Sequence, residues 1–126
     1  MIYSWNLVFH SGTTKETEEI YEVELDPGII TKLEITFPTG CAGLVKVHIN
    51  DEIHQVFPTN PDDVFTGNGN TIAFATYHPI FEVPYALQIC GWNEDDTYDH
   101  TVSIRMGILP REVLFYGAGV APFRMI

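Results

Sequence analysis

The chain has 126 residues, 45% of them apolar and 18% charged, which is the composition of one core-forming domain and not of a disordered chain. Its formal net charge of −11 excludes a nucleic-acid partner held by phosphate neutralisation, and no apolar run approaches the ~18 residues of a membrane-spanning helix. The stretch Met1–Phe9 carries neither a basic leader nor a small-residue cleavage site, so no signal peptide is expected.

Along the chain the dominant pattern is alternation of apolar and polar residues, the mark of half-buried strands. A first strand is predicted near Ile2–Phe9. Thr13–Glu19 is the one place for a helical turn, with Thr13 as cap and Glu16 three residues on. Tyr21, Val23 and Leu25 then alternate with Glu22 and Glu24. Asp26-Pro27-Gly28 reads as a turn, in which proline presets φ and glycine supplies a positive φ. Leu33, Ile35 and Phe37 alternate with Lys32, Glu34 and Thr36, and Pro38-Thr39-Gly40 ends that strand. Val45, Val47 and Ile49 follow, with Lys46 and His48 between them.

A hairpin is predicted after Asn50. A two-residue Asn50-Asp51 loop would set Ile49 opposite Glu52, whereas a three-residue loop ending at Glu52 sets Ile49 opposite Ile53 and His48 opposite His54. Burial selects register, so the longer loop is expected. Residues 58–70 form a polar connection with two prolines and two glycines, long enough to cross between sheets. Ile72, Phe74 and Thr76 resume a strand, and Tyr85–Trp92 makes another with Leu87 and Ile89 inward. The acidic turn from Glu94 to Thr97 leads to Val102, Ile104, Met106 and Ile108. About eight antiparallel strands at this spacing read as an all-β sandwich of the jelly-roll or immunoglobulin-like kind. The buried set is expected to include Val23, Leu25, Leu33, Ile35, Phe37, Val45, Val47, Ile49, Phe74, Leu87, Ile89, Val102, Ile104 and Met106. Glu22, Glu24, Glu34, Lys46, Thr101 and Ser103 should face solvent or a partner.

Few residues point to chemistry. Cys41 and Cys90 form no CxxC pair and are expected as free buried thiols. The His48/His54 pair lacks the third and fourth ligands that a metal site needs, and the HxH pattern of a cupin is missing. Glu94, Asp95, Asp96 and Asp99 suggest calcium, but the EF-hand spacing of glycine and glutamate is absent, so a solvated turn is the simpler reading. No GxSxG, catalytic cysteine signature or phosphate-binding glycine loop is present. The sequence therefore predicts no enzyme: no catalytic residue, no cofactor and no metal. Among the aromatic residues, Trp92 beside the acidic turn is the best candidate for stacking on a sugar.

The end of the chain differs from the rest. Residues 105–126 hold Arg105, Arg111 and Arg124 against Glu112 alone, whereas the remainder sets three lysines against all the other acids. The string REVLFYGAGVAPFRMI is apolar, and Gly117, Gly119 and Pro122 prevent a long strand or helix. A free apolar tail is an aggregation hazard. The chain is accordingly divided into a sandwich domain, 1–110, and an extended C-terminal arm, 111–126. The arm is expected to dock on a neighbouring subunit through Phe115, Tyr116 and Phe123, with Met125 and Ile126 adding apolar contact.

Two stretches, GCAGLVKVHINDEIHQVFPTNPDD (Gly40–Asp63) and CGWNEDDTYDHTVSIRMGILPREVL (Cys90–Leu114), resemble a family of small all-β proteins of phage and related viral gene clusters. The resemblance covers about half the chain and carries no catalytic motif. It implies a virion structural protein, such as a capsid decoration or minor capsid subunit, assembled in the host cytoplasm. The expected partners are further copies of the chain, with a trimer favoured, and a major capsid protein or other virion proteins. No membrane is expected. The alternative is a carbohydrate-binding or adhesin-like module. A small metal-dependent enzyme is the third reading.

Overall fold

A computed structural model describes residues 1–111. The arm positions Phe115, Tyr116, Phe123, Met125 and Ile126 lie outside the described residues.

Among the described residues eight strands form: β1 (Ile2–Phe9), β2 (Glu19–Glu24), β3 (Gly28–Phe37), β4 (Val45–Asp51), β5 (His54–Phe57), β6 (Asn70–Ile80), β7 (Ala86–Asn93) and β8 (His100–Pro110). They pair as a nested hairpin. β4 pairs with β5, β3 with β6, β2 with β7 and β1 with β8, all antiparallel. The folded hairpin then wraps into two four-stranded sheets, β1-β8-β3-β6 and β2-β7-β4-β5. This is the jelly-roll order, built from two Greek keys. Each connection except β4–β5 crosses between the sheets, so the polar 58–69 segment does cross as its composition predicts.

The core lies between the sheets, and strand parity decides its members. Leu33, Ile35, Ile104 and Met106 face Val45, Val47, Ile49, Leu87 and Ile89, and all are almost fully buried. Burying one such side chain stabilises the fold by about 1.5–3 kcal/mol. Of the expected core residues, Phe74 alone is only half-buried. It sits on the edge strand β6, where the facing sheet ends in the four-residue β5. It packs instead on Phe57 and Phe65, with ring centroids 5.9 and 6.0 Å away.

Three local expectations are corrected. The hairpin turn is Glu52-Ile53, with Asp51 opposite His54, Asn50 opposite Gln55 and Ile49 opposite Phe57. A bulge between Ile49 and Asn50 keeps apolar residues on the core side, and the left-handed φ of 58° at Glu52 closes the turn. Ile53 is therefore left in solvent at 87% exposure rather than paired with Ile49. Gly28 has no positive φ; a Cβ there would lie 2.3 Å from the Leu109 carbonyl oxygen, so its role is close approach of β8. The expected helical turn is Lys15–Thr17, capped by Thr14 with Thr17 three residues on, one position later than the Thr13 cap expected.

Candidate functional site

β7 is buried along almost its whole length, on both faces. Its even-numbered residues point away from the core, yet Cys90 and Trp92 are covered. Two segments cover them. The 3₁₀ turn Lys15–Thr17 closes one side, and the connection after β5 closes the other. That connection is pinned to the sheet. Phe65 exchanges backbone hydrogen bonds with Val47 at 3.0 and 2.8 Å, and the Gln55 amide donates to the carbonyls of Pro58, Asn60 and Asp63. Lys15 reaches Asp62 across the gap at 3.7 Å. Between the two segments lies a cavity of about 220 Å³ whose lining includes Glu18, His48 and Trp92.

The cavity residues Glu18, His48 and Trp92 are linked to neighbours on the sheet. His48 and Cys90 are direct cross-strand partners on β4 and β7. Glu18, just before β2, meets His48 Nε2 with Oε1 at 2.7 Å, and His48 Nδ1 lies 3.2 Å from Asn50 Oδ1. The Trp92 ring stands edge-on to His48 at 6.3 Å and donates its Nε1–H to Glu94 at 2.9 Å. Burial, and then the Glu18 carboxylate, pushes the Cys90 thiol up to about 12. A thiol of that kind keeps its proton at neutral pH and is a poor nucleophile. Burial raises the Cys41 thiol as well. Both cysteines are free and buried.

This arrangement alters two expectations. His48 does not face His54: the hairpin register moves His54 into the exposed turn region, and His48 takes Glu18 as its partner. Trp92 offers no exposed face to a sugar, because it is 7% exposed and forms part of the cavity lining. A trace of the site was present in the sequence. Ala86, Cys90 and Trp92 give β7 apolar residues on the side opposite Leu87 and Ile89, which requires a cover over the outer face.

The acidic turn uses its carboxylates internally. Asp95 accepts from the backbone N–H groups of Thr97 and Tyr98 at 2.9 and 3.2 Å, and lies 2.9 Å from His100 Nε2. The His100 hydrogen bond, followed by the Thr97 N–H, holds Asp95 below its ordinary value of 3.8. Asp99 accepts from the Ser11 N–H, and Asp96 from the Thr97 hydroxyl. The carboxylates point to separate donors and do not converge as calcium ligands do.

A second concave surface lies at one end of the sandwich. The β4–β5 turn and the 81–85 connection enclose a groove of about 530 Å³ that combines Phe81 and Val83 with Asp51, Glu52 and Glu82. Ile53 and Val83 stand at 87% and 75% exposure, far more than large aliphatic side chains usually show. The root of the C-terminal arm is fastened beside this groove. The Arg111 guanidinium lies 5.4 Å from the Phe81 ring centroid and donates to the Phe81 carbonyl at 2.8 Å, while its backbone N–H donates to Pro27.

No protein-family model matches the chain, and no curated protein sequence is significantly similar to it.

Proposed function

We propose that this jelly-roll domain is a virion structural protein, a capsid decoration or minor capsid subunit that works by self-association and by docking on a capsid lattice. The observation that carries the reading is the end groove: exposed Phe81 and Val83 line it, exposed Ile53 sits on the adjoining β4–β5 turn, and Arg111, from which the apolar arm continues, is fastened to Phe81. Apolar groups grouped in this way mark a surface that a partner covers. The arm supplies a matching occupant, since Val113, Leu114, Phe115, Tyr116, Phe123, Met125 and Ile126 follow within fifteen residues of Arg111. The arm of one copy enters the groove of the next, and the acidic body stays in water. The fold and the resemblance of Gly40–Asp63 and Cys90–Leu114 to small viral proteins support the virion setting.

Truncation tests the reading. A chain ending at Arg111 should remain folded, because the described residues bury a core of their own between the two sheets. In light scattering it should run as a monomer under conditions in which the intact chain assembles. A truncated chain that unfolds would make the arm part of its own core, and one that assembles with unchanged affinity would remove the arm from the interface.

A further inference from the structure

We infer that Glu18, His48 and Cys90 form a zinc-binding site. Ligand-type atoms of the three side chains all lie within 4.8 Å of one another. They come from three separate segments, so the sheet itself fixes their approach: His48 and Cys90 are paired across β4 and β7, and Glu18 arrives at the start of β2. Carboxylate oxygen, imidazole nitrogen and thiolate sulfur together suit a borderline-soft cation without geometric preference of its own, which is zinc. Zinc bonds of roughly 2.0–2.3 Å place tetrahedral ligand atoms about 3.3–3.8 Å apart, so closing the three donors on a cation requires shifts of about 1 Å.

Two further features match a built site. Asn50 Oδ1 sits 3.2 Å from His48 Nδ1, where it would accept an Nδ1–H once a cation takes the Nε2 lone pair in place of the present hydrogen bond with Glu18. An acceptor behind a ligating imidazole is the usual device for fixing its tautomer. Glu18 and His48 also line the cavity of about 220 Å³, which leaves room for water in a fourth position.

The proton balance follows from the thiol. Binding breaks the S–H bond, forms a Zn–S bond and releases one proton to solvent. The His48 proton moves only from Nε2 to Nδ1. Affinity should therefore rise with pH. The site ties the 15–18 segment to the sheet, whether or not the chain assembles, so it stands apart from the proposal above.

Titration of the intact chain with Co²⁺, followed by Zn²⁺ competition, tests the inference. One Co²⁺ per chain is expected, with a thiolate-to-cobalt charge-transfer band that disappears in Cys90→Ser and persists in Cys41→Ser. His48→Gln should remove the same band, which guards against a packing effect of Cys90→Ser. Asn50→Ala, which leaves all three ligands in place, should weaken binding roughly 10–100-fold. The inference is overturned if the intact chain gives no such band. A band that survives Cys90→Ser, or Zn²⁺ raising the melting temperature of His48→Gln as far as that of the intact chain, would overturn it as well.

Discussion

At the residue scale, Asn93 is the one polar residue buried in the core among the described residues. It is fully buried; its amide donates to the carbonyls of Phe9 and Tyr98, and its Oδ1 accepts from the Asp95 N–H. Those bonds hold the end of β1, the end of β7 and the acidic turn together. Asn93→Ala would leave buried groups without partners, each at about 1–3 kcal/mol. We expect the urea midpoint to fall with the slope unchanged. The neighbouring Asp95 makes the turn sensitive to acid. Its folded pKa lies below the ordinary 3.8 because of the His100 hydrogen bond and the Thr97 N–H. The contribution of such a group is complete above its unfolded pKa and is lost as pH falls through the folded one. Glu34, held low first by Lys32, and Asp63, held low first by the Val64 N–H, act in the same direction. The melting temperature should therefore drop as pH falls below about 4, and Asp95→Asn should flatten that drop. An equally steep acid limb in the variant would mean that Asp95 is not one of the groups responsible.

At the scale of the element, β7 is the strand on which the sheet depends. It lies between β2 and β4 and is buried on both faces. Gly91 lets it lie there: a Cβ would stand 2.6 Å from the Lys46 carbonyl oxygen and 2.7 Å from the Phe9 ring. The backbone oxygen cannot move without disturbing the β4–β7 ladder, so Gly91→Ala should destabilise the domain by about 1–3 kcal/mol in chemical denaturation. Strand parity was legible in the sequence because inward and outward residues differ sharply in β2, β3, β4 and β8. Val23 against Glu24 and Ile104 against Arg105 are examples. The β4–β5 turn was not. Its register depends on a bulge and on a left-handed Glu52, and no residue type there demands either. The polar cavity was half legible. The apolar outer face of β7 signalled a cover, but Glu18 reaches His48 only because the Lys15–Thr17 turn folds over the sheet. That contact spans thirty residues and leaves no periodic trace.

At the scale of the whole molecule, two features pull in opposite directions. A net charge of −11 keeps copies apart at long range, while the end groove and the arm offer apolar contact at short range. Salt screens the first and not the second, so assembly should strengthen as ionic strength rises. The groove itself carries Asp51, Glu52 and Glu82 beside Phe81 and Val83, so screening should matter at the contact as well as at long range. Sedimentation equilibrium of the intact chain beside the double variant Ile53→Asp/Val83→Asp tests this most directly. The expected result is a mass of several chains, three favoured, for the intact protein and of one chain for the variant, with both folded. A single-chain mass for the intact protein at every concentration, or an assembled variant indistinguishable from it, would contradict the account.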